Sequence, residues 1–496
     1  MNTQKTRNGR LTAFVSACCI LAACGSAVNA QYFQRLFGTT QPETPRGNNQ
    51  TNNENHITTG FAQDAAGSPV TYASRHLPDG VPLWATLYRE ANNVPSTGWA
   101  TLEAFNGDLM VAGQTLGSGP ALTLSLMRLN AAGNVIWAGS YENTSLETTD
   151  VFEGVRHNVA VEELLDIGFV AVTSDIGGPF AGLSQARMIG VDGGGGPIFQ
   201  KAYITNITVV PNGVTFNDLR VQTATPALEI AVTGTIEFRP QGPGGPVSYE
   251  ALYARFDILG NPIAAFSYRF QPAVGGPSFD IYGDGIQTVP GGDVIIMGRT
   301  NVFGGGASGA NAAVLRISPA GVPVWSRAVS GVGPSAAAMS RSDVREIVTA
   351  GYTGQTALDI GSVALLNVDE AGNWIFSRRF TEPSPGFVSL GRDQVWFRSA
   401  RPGWAVVGDE TDPYTIGMRD VDLLRTDTNG RTGCFERRIP AQVLAPFVQI
   451  RQLALLQSNR DNFTFRQVIP TDPAWQERVV CKSDCPCPGD ADGNGV

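Results

Sequence analysis

Apolar positions in this chain come in short alternating runs that stop at glycines and polar turns, and one such segment recurs seven times. The copies are YASRHLPDGVPLWATLY, LSLMRLNAAGNVIWAGSY, QARMIGVDGGGGPIFQKAY, ALYARFDILGNPIAAFSY, NAAVLRISPAGVPVWSRAV, VALLNVDEAGNWIFSRRF and VDLLRTDTNGRTGCFERR. Their anchor glycines, Gly80, Gly133, Gly195, Gly260, Gly321, Gly372 and Gly430, give a mean period of about 58 residues, the mark of a repeat architecture. Three residues before the glycine stands Asn130, Asp192, Asp257, Ser318, Asp369 or Asp427. A short acceptor at the first turn position and a glycine at the fourth predict a tight β-turn, so each copy reads as a hairpin. Four residues after the glycine comes Trp84, Trp137, Phe199, Trp325 or Phe376, with Ala264 and Cys434 as exceptions. A large ring at one fixed strand position is expected to pack between neighbouring sheets.

The other half of each period is an apolar run, most often ending in glycine: GDLMVAGQT, LEIAVTGTI, GDVIIMGRT, EIVTAGYTG, WAVVGDET and, more loosely, GFVAVTSD. Runs of four to six apolar residues between polar turns suit two further strands buried on both faces. One period is then a four-stranded antiparallel sheet that cannot cover its own faces, and stacking such sheets around a ring removes the exposed ends. The expected fold is all-β, a β-propeller of seven four-stranded blades, with six or eight as the neighbouring solutions. The pattern resembles the family of bacterial exported propeller repeats with an ldxxGxxxW hairpin and an aGxT strand, over residues 71–470. That resemblance implies the fold and leaves open a range of roles, from assembly factors and adhesins to quinone-dependent enzymes. The last period lacks a clear second half beyond NFTFRQVIP, so closure is expected to borrow a strand from residues 56–72.

The two ends differ from the repeat. Residues 1–10 carry Lys5, Arg7 and Arg10 and precede an apolar run, Leu11 to Ala23, so residues 1–30 read as a signal peptide too short to span a membrane. Two processing sites compete: Val28-Asn29-Ala30 before Gln31, and a lipobox-like Leu21-Ala22-Ala23-Cys24 that would make Cys24 a lipidated anchor. Residues 31–70, with QPETPRGNNQTNNENH, are polar and read as a flexible spacer. Residues 471–496 form a Cys/Pro-rich tail ending in CPCPGDADGNGV. Asp490, Asp492 and Asn494, followed by Gly495, match the opening of an EF-hand calcium loop, where oxygen ligands alternate and glycine permits the turn. The segment resembles the start of a dockerin-type module without its twelfth-position acid, which implies calcium and a cohesin-like or envelope partner.

Composition narrows the chemistry. Charged residues are 16% of the chain against about 25% in soluble domains, and the net charge of −9 becomes −12 without the three cations of the leader. An acidic chain with no Lys/Arg run excludes nucleic acid as a partner. Beyond residue 30 the cysteines are Cys434, Cys481, Cys485 and Cys487. Export favours disulfides, and a Cys434–Cys481 pair would tie the tail to the last repeat, whereas no nearby histidine completes a zinc set. Three histidines, His56, His76 and His157, give little support to histidine catalysis. Asp280 and Asp284 in DIYGDG could supply carboxylates, although paired acids in a glycine-containing turn are usually solvated. Arginine stands five residues before the anchor glycine in five copies, Arg75, Arg128, Arg255, Arg316 and Arg425. These either converge on the channel as a carboxylate or phosphate site or pair with acids and carbonyls of adjoining blades. The expected role is a non-catalytic ligand- or partner-binding module outside the cell or at its envelope. The alternatives are a polysaccharide-acting enzyme with loop carboxylates and a quinone-cofactor propeller.

Overall fold

The computed structural model describes residues 32–483 except 92, 117–121, 142–158, 166, 177–183, 207–210, 223–227, 239–246, 272–277, 304–310, 342–345, 354–361, 381–387, 398–401, 412–419, 434–435, 460–463, 472 and 474. The fold is a seven-bladed β-propeller of antiparallel sheets. Blade 1 spans Glu43 to Glu90, blade 2 Ser96 to Tyr141, blade 3 Ala160 to Asn206, blade 4 Pro211 to Gln271, blade 5 Gly285 to Ser330 and blade 6 Gly333 to Phe380. Blade 7 combines Val388–Phe397, Gly403–Thr411 and Asp420–Asp427 with the N-terminal strand Tyr32–Gly38. The innermost strands follow one another around the axis, and the core lies in the seams between blades.

The hairpins form as their turn chemistry predicts. All seven anchor glycines have φ between 72° and 87°, a conformation that penalises any side chain. In blade 2 the Asn130 Oδ1 accepts from the N–H groups of Ala132 and Asn134, both at 3.0 Å, so the side chain closes the turn it begins. Each hairpin is the outer half of a blade, and the apolar run before it supplies the inner half. This phase explains the missing last half-period. Blade 1 takes its two inner strands from Glu43–Gln50 and His56–Gln63, and blade 7 receives its fourth strand from Tyr32–Gly38, not from residues 56–72.

The segment read as a spacer therefore carries three strands. Its polar composition misled because an innermost strand has carbonyls of adjacent blades within reach: the Asn48 side-chain amide donates to Ala405 O at 3.2 Å and that of Asn49 to Thr101 O at 3.0 Å. The two aromatic exceptions are also resolved. Phe33 lies opposite Arg425 in blade 7 and takes the place of Cys434. In blade 4 Phe266, two residues beyond Ala264, packs on Gly321. Every anchor glycine thus meets an aromatic ring of the preceding blade: Phe33 at Gly80, Trp84 at Gly133, Trp137 at Gly195, Phe199 at Gly260, Phe266 at Gly321, Trp325 at Gly372 and Phe376 at Gly430.

The blades have five strands rather than four. After Gly430 the chain runs back around the outside as a belt. It adds Glu436–Arg438 to blade 6, Val443–Leu444 to blade 5, Phe447–Gln452 to blade 4 and Leu455–Asn459 to blade 3. It continues with Thr464–Phe465 on blade 2, Val468–Thr471 on blade 1 and Gln476–Ser483 on blade 7. The segment NFTFRQVIP belongs to this belt. Outer edges left bare would be templates for intermolecular pairing, and the belt covers part of each. A bulge and a leading proline, Pro82, Pro197, Pro262 or Pro323, blunt four outer strands further. The closing belt strand pairs with Tyr32–Gly38, so the first and last described strands are stitched together in blade 7. Among the described residues no helix is long and apolar enough to cross a membrane.

Candidate functional site

The recurrent arginines lie on third strands, away from the axis, and the structure does not bring them together. Each reaches the turn of the next blade instead: Arg75 donates to Ala131 O at 3.0 Å, Arg128 to Gly193 O at 2.6 Å, Arg255 to Pro319 O at 2.7 Å, Arg316 to Glu370 O at 2.9 Å and Arg425 to Pro78 O at 2.6 Å. Four of them also face carboxylates, Glu103, Asp108, Glu229 and Asp293. They act as latches between blades. Four tyrosines do the same one strand further out, with Tyr88, Tyr141, Tyr203 and Tyr268 hydroxyls donating to the carbonyls of Gly133, Gly195, Gly260 and Gly321. Burial pushes all four phenols far up, so they remain neutral donors.

Asp284 is fully buried rather than solvated, with its two oxygens gripped by the Nε and Nη2 of Arg299 at 2.8 and 2.9 Å. Asp280 accepts from Tyr249 N and Asn301 Nδ2, which makes it a loop clamp. Cys481 sits on the last belt strand opposite Gln34, while Cys434 lies outside the described residues, as do Cys24, Asp490, Asp492 and Asn494. Among the described residues no three His, Cys, Asp or Glu side chains are placed to hold a metal ion.

The channel wall is where polar side chains do converge. The inner strands of blades 1, 2, 4 and 7 each carry a one-residue bulge, at Arg46, Trp99, Asn217 and Arg392, opposite Gly60, Gly113, Gly234 and Gly408. Gly113, Gly234 and Gly408 are glycines of the apolar-run motif, Gly60 is their counterpart in blade 1, and the structure gives their reason. A Cβ on Gly60, Gly113 or Gly234 would collide with the carbonyl oxygen of Thr44, Thr97 or Thr215, which the bulge brings against the partner strand. Bulges re-aim side chains, so the repeat holds a backbone device at the axis while the residue it presents changes from blade to blade. Asn217 is buried, its amide donating to Gly283 O at 2.8 Å, whereas Arg46 and Trp99 are half-buried. The Arg46 guanidinium stacks 4.5 Å from the Trp99 ring centroid.

Below the bulges the wall continues with Glu162, Arg220 and Gln287 from blades 3, 4 and 5. Arg220 pairs with Glu162 at 3.4 Å and Asp218 at 2.7 Å and donates to Gln287 at 3.1 Å. Desolvation in the wall, together with Asp218 and Glu163, raises the Glu162 carboxyl to about 7 against the pull of Arg220. Asp218 is saturated by different means: its oxygens accept from Leu219 N, Arg220 and Ile286 N. Sequence reading missed these residues because inner strands carry no regular apolar alternation. The glycine in the apolar runs of blades 2, 4 and 7 was the available signal, since it lies opposite a bulge. No protein-family model and no curated protein matches this chain.

Proposed function

We propose that the protein is an exported, non-catalytic propeller that binds its ligand in the central channel, against Arg46 and Trp99. The observation that carries this reading is the half-buried Arg46–Trp99 stack on adjacent axial bulges. An indole face and a guanidinium supply apolar stacking and bidentate anion recognition side by side, and Glu162, Arg220 and Gln287 add polar groups further along the wall. Export is supported by the signal-like leader and attachment by the dockerin-like tail with its partial calcium loop. Tyr32 pairs with Ser483, so the first and last described residues of the ring lie together on blade 7, which suits tethering from one point.

The second reading, a polysaccharide-acting enzyme, draws on Glu162, whose carboxyl near 7 suits a general acid. Such chemistry uses two available carboxyl groups, and the neighbour Asp218 is committed to Arg220 and two backbone N–H groups. Binding is therefore favoured. The test is a glycan array including acidic saccharides, probed with the mature protein and with Trp99→Ala and Arg46→Ala. Retained melting temperature with lost binding supports the channel site; unchanged binding by both variants rejects it. Saccharide cleavage abolished by Glu162→Gln would establish the enzyme instead.

A further inference from the structure

The seam between blades 7 and 1, where the ring closes, is built differently from the others. His56 and His76 lie opposite each other across two strands of blade 1, both buried. Blade 7 presents Arg35 and Arg425 to them, each about 1% exposed. The rings pack against the N-terminal strand, Phe33 edge-on to His56 at 6.2 Å and Phe37 tilted on His76 at 4.6 Å. His76 Nε2 shares a 2.8 Å hydrogen bond with Ser74, which in turn meets Thr58. The other charged groups at this end of the seam are Glu477 of the belt, which pairs with Arg35, and Asp79 and Glu54, with the Tyr32 hydroxyl beside Arg425. Two guanidiniums are already held here in low-dielectric surroundings, so charging the imidazoles is opposed by desolvation and by Arg425 and Arg35, against the backbone groups of Pro78 and Gly80 that favour the charged form.

We propose that this closure seam is an acid-opened gate, in which protonation of His56 and His76 between Arg35 and Arg425 parts blade 7 from blade 1 before any other seam yields. Burial, reinforced by Arg425 and His76, holds the His56 imidazole well below its ordinary value, and burial with Arg35 lowers His76 to about 4. Opening therefore takes up a proton at each imidazole below pH 6.5, for His76 down to about 4, and lower pH favours the open form. At the far end of the same seam Glu43 works in the opposite sense. Its buried carboxyl, raised to about 8 by desolvation and by Asp420 of blade 7, loses its proton on opening. The net uptake is about one proton, so the opening equilibrium rises about tenfold per pH unit of acidification below 6.5.

Hydrogen exchange read by mass spectrometry on the full chain at pH 7.5, 6.5, 6 and 5, corrected for intrinsic rates, tests this. Between pH 6 and 5 protection should fall about tenfold in residues 32–38, 56–63, 69–76 and 420–427, with no such fall between 7.5 and 6.5, while the strands of blade 4 hold theirs. Parallel loss in all seven blades, or no selective loss at the seam, overturns the gate. The double variant His56→Gln/His76→Gln should abolish the acid response, and persistence of the response rejects the histidines as its source. If that variant does not fold, Glu43→Gln gives a second reading, because removing the opposing proton should steepen the response toward about a hundredfold per unit; an unchanged slope overturns the mechanism.

Discussion

Phe33 sits opposite Arg425 in the last blade and lays its ring against Gly80 of the first, so the residue that completes the aromatic ring comes from the other end of the chain. The seventh repeat has Cys434 where an aromatic belongs, and the propeller makes up the deficit by closure. Phe33→Ala removes a fully buried ring and leaves a cavity beside blade 7, whose third and fourth strands, Asp420–Asp427 and Tyr32–Gly38, are not one continuous hairpin. The expected loss is about 3–5 kcal/mol, measured by urea unfolding, the usual range for truncating a buried Phe.

The glycines of the apolar runs answer to backbone, not to side chains. At Gly113 a Cβ would meet the Thr97 carbonyl, and neither chain can move without undoing the bulge that presents Trp99. Gly113→Ala should cost more than about 3 kcal/mol and weaken channel binding as well. Gly107→Ala, at a turn with φ 86° and open space around it, should cost only about 1–2 kcal/mol and leave binding alone. Thermal melts and binding isotherms of the pair separate the two effects.

Arg128 bonds Asp108 within its own blade and Gly193 O of the next, which makes it a latch. Arg128→Ala should lower stability by about 1–3 kcal/mol, as loss of charge-assisted bonds does, with ligand affinity unchanged. Trp99→Ala should show the reverse. A lost ligand with unaltered stability in the Arg128 variant would return the arginines to the binding site.

The belt is held by charge as well as by strand pairing. Glu90 is buried in blade 1, burial raises its carboxyl, and its cation is Arg466 of the belt at 3.0 Å. Arg466→Met strands that carboxylate and should cost about 3–5 kcal/mol, with belt residues becoming the first cleaved in limited proteolysis. Glu90→Gln/Arg466→Met should recover most of the loss, because no uncompensated charge remains.

Blade count, hairpins, turn residues and inter-blade aromatics were legible in the sequence because each rests on a local rule: an acceptor and a glycine at fixed offsets, then a ring that must be buried. What was not legible depends on chain-wide geometry. Arg75 and Arg316 recur for the same reason as the tryptophans, to reach the next turn, but recurrence alone does not say whether a side chain points along the seam or toward the axis. The strand Glu43–Gln50 looks like a linker because its asparagines find partners on two other blades. Belt segments as short as Val443–Leu444 carry no periodicity of their own. Arg46 and Trp99 were hidden by the bulges that expose them, since a bulge breaks the alternation by which strands are recognised.

Glu43 gives stability a slope with pH that one substitution should remove. Its carboxyl is fully buried, keeps hydrogen bonds from the N–H and hydroxyl of Thr39, and stays protonated in the folded protein up to about pH 8. The unfolded chain gives up that proton near pH 4.5, so the contribution is complete below 4.5 and is lost as pH rises through 8, at up to about 1.4 kcal/mol per unit. Between 4.5 and 6.5 the histidine pair opposes this trend, and above 6.5 Glu43 acts without that opposition. Glu43→Gln preserves the acceptor for Thr39 and cannot ionise. Denaturation curves at half-unit steps should therefore show the variant losing the decline between pH 6.5 and 8 that the parent shows, while below 6.5 it becomes more acid-sensitive than the parent. A parent curve flat across 6.5–8 would mean that Glu43 is ionised in the fold despite its burial beside Asp420, and the counter-proton at the closure seam would be struck out.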